Sequence, residues 1–157
     1  MEKFNHIELN NEVTKRGDNG FFKLEKDQEA IAEFLREVDY RTVKFSSEMK
    51  RLRYLVEENF YYNIFDKYIE DEIVECLELA KNFKFEFKSY MAASKFYKDY
   101  ALKTNDKKQY LENFNQHVFI VAMYLADGDV ALAKELMIAM LEQRLQPATP
   151  TFLNSGR

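Results

Sequence analysis

The chain has 157 residues, of which 46% are hydrophobic and 32% charged, with a net charge of −4. That composition supports a packed core and excludes a disordered polymer. Four glycines and two prolines argue against a turn-rich β-sandwich or barrel and for helices joined by short links.

One cysteine excludes an intramolecular disulfide framework and points to a reducing cytoplasm. Two histidines and one cysteine leave too few ligands for a His/Cys zinc site, so no metal site is expected. The longest apolar run, Val118 to Ala126, has nine residues, well short of the roughly 20 that cross a bilayer. The opening MEKFNHIELNNE lacks the apolar stretch of a secretory signal.

In chain order, His6–Val13 and Phe21–Leu24 flank the turn-rich stretch Arg16-Gly17-Asp18-Asn19-Gly20, which predicts a short β-hairpin. From Asp27 the period changes, and Ile31, Phe34, Leu35 and Val38 follow helical spacing. Ser46 or Ser47 can cap a second helix with Met49, Leu52 and Val56 as its apolar stripe. The aromatic stretch Asn59–Tyr68 reads as a helical turn or loop. A third helix is predicted over 70–82, with Ile73, Val74, Leu77 and Ala80 inward. Residues 83–88 alternate Phe with charge, the pattern of an extended segment.

Ser89 can cap a further helix through Met91, Phe96, Tyr97 and Tyr100, and it marks the expected boundary between lobes 1–88 and 89–157. The stretch 109–145 predicts two helices of ~16 residues each, antiparallel across Asp127-Gly128-Asp129. From Val118 onward the first of them is apolar on several faces. Pro147 and Pro150 then break the helical run.

Charge is uneven along the chain. Residues 1–80 carry 12 Lys/Arg against 19 Asp/Glu, 81–108 carry 8 against 3, and 109–157 carry 3 against 5. The basic middle could attract phosphates, but lysines beside acidic neighbours on a solvated helix face explain it as well. An acidic chain is a poor generic nucleic-acid binder, so no direct nucleic-acid partner is expected.

Most catalytic constellations are absent. There is no G-x-x-x-x-G-K-[ST] or G-x-G-x-x-G loop for a nucleotide, and no catalytic residue is assigned. His117 is expected to be a hydrogen-bonded helix residue, and Cys76 a buried structural thiol. The segment Thr149–Arg157 is different, being rich in hydroxyl and amide donors. Thr149 is expected to be extended because Pro150 follows it. The backbone of Asn154-Ser155-Gly156 could turn its N–H groups toward an anion, or the segment could be a frayed tail.

Leu145 to Arg157, LQPATPTFLNSGR, resembles the segment that opens the catalytic barrel of class I ribonucleotide reductase large subunits. FKSYMAASKFYKDYALKTNDKKQYLENF and VAMYLADGDVALAKELM resemble the class Ib branch. The likeness runs back through YLVEENFYY to IELNNEV and so covers nearly the whole chain. It implies a mainly α fold, the helical N-terminal region of such a subunit, with the hairpin in a degenerate ATP-cone-like lobe. Val13-Thr14-Lys15-Arg16-Gly17-Asp18 is similar to the opening of that cone, with Gly and Asp exchanged. The resemblance thereby makes Lys15 and Arg16 candidates for an adenine nucleotide.

The same resemblance implies a parent enzyme that reduces ribonucleoside diphosphates to deoxyribonucleotides through a thiyl radical. It implies the rest of the alpha subunit, a small radical-generating subunit carrying a metal-radical cofactor, and a thioredoxin- or glutaredoxin-like reductant as partners. In the family, the threonine before the proline of this motif contacts the substrate diphosphate; that position is Thr149, with Asn154, Ser155 and Gly156 in the same loop. The radical and redox cysteines of the family have no counterpart here, so the chain alone is expected to be inactive and to need no cofactor. The alternative is a stand-alone helical interaction or regulatory module that complements a separate reductase chain.

Overall fold

The computed structural model describes residues 3–13, 15, 17, 20 and 25–157. These residues are mainly helical, as the sequence predicts, and fall into two compact units. One is built from Met1–Val43 and Glu86–Leu111, the other from Lys44–Phe85 and Glu112–Arg157. Among the described residues there is no strand, only isolated bridges pairing Tyr110 with Thr42 and with Lys103.

The first unit opens with α1 (His6–Val13), which packs on α2 (Glu25–Tyr40). The predicted hairpin is corrected here: its first half, His6–Val13, is a helix, and Phe21–Leu24 lie outside the described residues. The reason is the period of burial. His6, Leu9, Asn10 and Val13 are half-buried at i, i+3, i+4 and i+7, whereas Ile7 is exposed, so the inward face is helical although two of its members are polar.

Helix α2 buries Ile31, Phe34 and Val38 of the predicted stripe, together with Ala30, while Leu35 is half-buried. His6 sits between Glu37 (Nε2–Oε2 2.5 Å) and the Tyr90 hydroxyl (2.9 Å from Nδ1). Ser89 caps α5 (Tyr90–Lys95), its hydroxyl accepting from the Ala92 N–H. The winding then widens into a π-helical turn over Phe96–Tyr100, closed by the Ala101 N–H donating to the Phe96 carbonyl (2.9 Å). Both Phe96 and Tyr97 are buried there.

The second unit is organised around α6 (Phe114–Ala126). Val118 to Met123 are all fully buried, and Ala126 is buried too, but Tyr124 and Leu125 of the same apolar run are exposed. Burial of one such side chain contributes about 1.5–3 kcal/mol, so this helix anchors the unit. Asn113 and Gln116 form a capping box at its start. α4 (Glu70–Asn82) and α7 (Val130–Leu141) pack on α6 and on each other.

In α4 the inward residues are Ile73, Cys76, Leu77 and Ala80, while Val74 is exposed; Cys76 fills the place expected for Val74. α6 and α7 have 13 and 12 residues, shorter than predicted: Tyr110 is drawn into bridges with Thr42 and Lys103 and Asn113 caps α6, while α7 closes at Glu142. Asp127 (φ 45) and Gly128 (φ 100) turn the chain through left-handed conformations, and Asp129 accepts from the Leu132 N–H to start α7.

α3 (Glu48–Glu57) is capped by Ser47, whose hydroxyl accepts from the Lys50 N–H. Its buried residues are Arg51, Leu52 and Leu55. A short 3-10 turn, Ile64–Asp66, follows within the aromatic stretch. The Tyr68 hydroxyl in that stretch donates to the Met123 carbonyl (2.7 Å). Residues 84–87 are irregular rather than strand, although Phe83, Phe85 and Phe87 are half-buried while Lys84, Glu86 and Lys88 are exposed.

A final helix, α8 (Thr149–Asn154), corrects the expectation of an extended Thr149. Thr149 is its first residue, and the Phe152 N–H donates to the Ala148 carbonyl (2.9 Å). Pro150 lies in the first turn, where a missing N–H leaves no helix bond unmade.

Candidate functional site

The four residues proposed to face a diphosphate lie on and just after α8, in two different environments. Thr149 and Asn154 are exposed, whereas Ser155 and Gly156 are buried. Asn154 turns back on its own helix, its Nδ2 donating to the Pro150 carbonyl (3.0 Å). The Ser155 N–H donates to the Thr151 carbonyl and the Arg157 N–H to the Asn154 carbonyl, so these two amides serve the turn itself.

Gly156 (φ +84) meets the middle of α6. A Cβ placed there would lie 2.8 Å from Ile120 Cγ1 and 3.1 Å from the Ile120 carbonyl oxygen. Its own carbonyl accepts from the Tyr62 N–H (3.0 Å). Glycine at this position is what lets the chain close onto the helix.

Beneath α8 lies a buried polar network that the sequence reading did not find. Glu112, 1% exposed, accepts from the Tyr61 hydroxyl and from the Arg157 guanidinium, and its carboxylate lies 2.7 Å from His117 Nδ1. Arg51, also buried, donates to the Tyr61 oxygen (3.0 Å). Next to it Glu48 receives Gln116 Nε2 at 2.9 and 3.1 Å. His117 is fully buried, and its Nε2 donates to the Phe152 carbonyl (2.6 Å). The Phe152 ring stands edge-on to the imidazole, with centroids 4.5 Å apart.

Burial by itself would raise the Glu112 carboxyl. The His117, Arg157 and Tyr61 groups around it outweigh that and hold it down to about 2, so the carboxylate is ionised in the core. Burial pushes the Tyr61 hydroxyl up, and the Glu112 charge beside it adds to the effect; it therefore stays a hydrogen-bond donor. The expectation for His117, a hydrogen-bonded helix residue, agrees with this geometry.

Glu112 and His117 are only five residues apart in QYLENFNQHVF, and a charge just ahead of an apolar helix was the one local signal. Tyr61 and Arg157 come from 51 and 45 positions away, which no local pattern reveals.

The other candidates stand apart from this network. Lys15 is exposed and paired with Glu12, and Arg16 lies outside the described residues. Cys76 is fully buried in α4, and burial pushes its thiol up to about 11, as befits an inert structural cysteine. Among the described residues no three His, Cys, Asp or Glu side chains gather as a metal site. No helix among them is long and apolar enough to cross a membrane.

Residues 6–85 match the family described as ribonucleotide reductase N-terminal, and residues 86–157 match the ribonucleotide reductase all-alpha domain. The chain belongs to the ribonucleotide reductase family. It is 45% identical over 155 residues to the ribonucleoside-diphosphate reductase NrdEB subunit alpha of Bacillus subtilis (strain 168), covering 98% of this chain and 14% of that protein. The ribonucleoside-diphosphate reductase subunit alpha of the same organism is 45% identical over 153 residues, covering 96% of this chain and 22% of that protein. The subunit alpha from Mycoplasma pneumoniae is 38% identical over 154 residues, covering 97% and 21% respectively. The chain thus spans about a fifth or less of the length of these reductase subunits. Within it, the segment that resembles the reductase barrel opening is the one seated over the Glu112–His117 network.

Proposed function

We propose that this chain acts as the N-terminal region of a class Ib ribonucleoside-diphosphate reductase alpha subunit, and that Thr149 binds the diphosphate of the substrate. The observation that carries this reading is the exposed Thr149 at the head of α8, a helix seated on a buried network in a chain of this family. A threonine hydroxyl donates to a phosphate oxygen and needs no charge to do so. Its part in the reaction is orientation: it fixes the ribose relative to the reacting centre, an effect expressed in substrate binding. Asn154 shares the exposed side of the segment, while Ser155 and Gly156 support it from below.

The chemistry belongs to the rest of the enzyme. The reading takes the remainder of the alpha subunit, a radical-generating subunit with its metal-radical cofactor, and a thioredoxin- or glutaredoxin-like reductant as partners, in a cytoplasmic setting. The 157 residues alone carry no reductase activity, because their single cysteine, Cys76, is buried with its thiol pushed up. The adenine-nucleotide reading at Lys15 and Arg16 rests on the resemblance alone, and a titration of the chain with ATP and dATP checks it.

The test of the central claim is Thr149→Val in the complete alpha subunit. The substitution keeps the shape and removes the hydroxyl. The KM for CDP should rise about tenfold while turnover at saturation changes much less. An unchanged KM would defeat the proposal.

A further inference from the structure

We propose that His117 is a positioning residue for Thr149, acting through the Phe152 carbonyl and without touching substrate. The inference rests on the reading of Thr149 given above.

α8 has six residues, too few to hold a helix by its own hydrogen bonds. Its geometry is therefore set from outside. The last carbonyls of a helix lack partners within it. In α8 the Thr151 carbonyl receives the Ser155 N–H and the Asn154 carbonyl receives the Arg157 N–H. The Phe152 carbonyl instead receives His117 Nε2 from α6, at 2.6 Å. Thr149 is three residues before Phe152, about 4.5 Å along the axis at 1.5 Å per residue. A displacement of the Phe152 carbonyl is thus passed to the Thr149 hydroxyl within a single turn.

The imidazole is itself fixed. Its other nitrogen is 2.7 Å from Glu112, and the Phe152 ring stands against its edge. Glu112 is in turn held by Tyr61 and Arg157. His117 is fully buried, so substrate cannot reach it, yet it ties Phe152, the fourth residue of α8, to the buried helix α6. A shift of even 1 Å in a positioning group is costly when the group must meet a phosphate oxygen.

The experiment is a double-mutant cycle between His117 and Thr149 in the complete alpha subunit, assayed with its radical-supplying subunit and CDP. Circular dichroism checks that each variant is folded. H117L should raise the KM for CDP at least fivefold and leave turnover at saturation within twofold. H117Q, whose amide can still donate to the Phe152 carbonyl, should restore the KM to within twofold.

In the T149V background, H117L should add nothing further, because the group it positions is already gone. If H117L does not fold, H117N, too short to reach the carbonyl, takes its place in the cycle. A wild-type KM in folded H117L or H117N would overturn the inference while leaving Thr149 intact. KM effects that multiply in the double variant would overturn it too, since they would mark a merely structural role. An unchanged KM in T149V would bring down the reading of Thr149 and this inference together.

Discussion

Glu112 Oε1 and His117 Nδ1 lie 2.7 Å apart, with both side chains fully withdrawn from water. Such a pair is expensive to desolvate, and it persists only where further groups complete it. Here Tyr61 and Arg157 reach the same carboxylate, and the Phe152 carbonyl takes the other side of the ring. The closed arrangement makes the second unit sensitive to acid, to substitution and to backbone changes at separate positions.

Acid should unfold the chain through Glu112. Its carboxyl is held down to about 2 in the fold against an ordinary value of 4.5. The unfolded chain therefore binds the proton first as pH falls, and stability rises with pH through this window. The contribution is complete above about 4.5 and is lost progressively down to about 2, on the order of 3 kcal/mol in all. Urea midpoints measured between pH 6 and 2 should fall steeply in the wild type. The slope should be shallower in Glu112→Gln, which has no carboxylate to protonate.

Replacing Glu112 by leucine should be far worse than replacing it by glutamine. Leucine leaves the Arg157 guanidinium, the Tyr61 hydroxyl and the His117 ring facing an apolar side chain. The loss of one partner from a buried ionic group costs about 3–5 kcal/mol. Glutamine keeps an acceptor for Tyr61 and should cost less. Chemical denaturation of the two variants checks the order, and equal losses would mean that the network's hydrogen bonds carry little.

Gly156→Ala should destabilise the chain by about 1–3 kcal/mol. The residue sits at φ +84, which costs an alanine roughly 1–2 kcal/mol, and its new methyl meets Ile120. Trimming Ile120 to alanine would remove the Cγ1 contact at 2.8 Å but not the one to the Ile120 carbonyl at 3.1 Å. The double variant should therefore not recover the lost stability. Thermal melts of the two single variants and the pair give the answer.

Cys76 should resist modification while the chain is folded. It is completely buried, and its thiol is pushed up to about 11, so thiolate is scarce at pH 8 and the sulfur is covered. A colourimetric disulfide reagent should release its chromophore only after denaturant is added. Rapid reaction with the native chain would contradict the packing of α4 on α6.

The helical frame was legible because burial and period agree in it. Three of the four stripe residues of α2, the caps Ser47, Ser89 and Asp129, and the buried first part of the apolar run of α6 follow from adjacent residues. α1 is hidden in the sequence because its inward face includes His6 and Asn10 while Ile7 points out, and because the turn-rich stretch Arg16–Gly20 beside it suggests a hairpin. α8 was missed because Pro150 reads as a breaker, yet it lies in the first turn, where proline is tolerated. The polar network was invisible because Tyr61, Glu112 and Arg157 are brought together by tertiary folding. Thr149 was singled out by resemblance and not by any local pattern.

The wide turn at Phe96–Tyr100 holds one residue more per bond than the helix that precedes it. A chain that gains a residue inside a helix must either rotate everything downstream or absorb the excess locally, and a loop of this kind absorbs it. Phe96 and Tyr97 are both buried at the start of this turn, and Ala101, whose N–H closes it, is buried as well. Shortening this stretch by one residue would trade the bulge for ordinary coiling and turn the chain after Tyr100 by about 100°, carrying Ala101 off the buried position it now holds in the first unit.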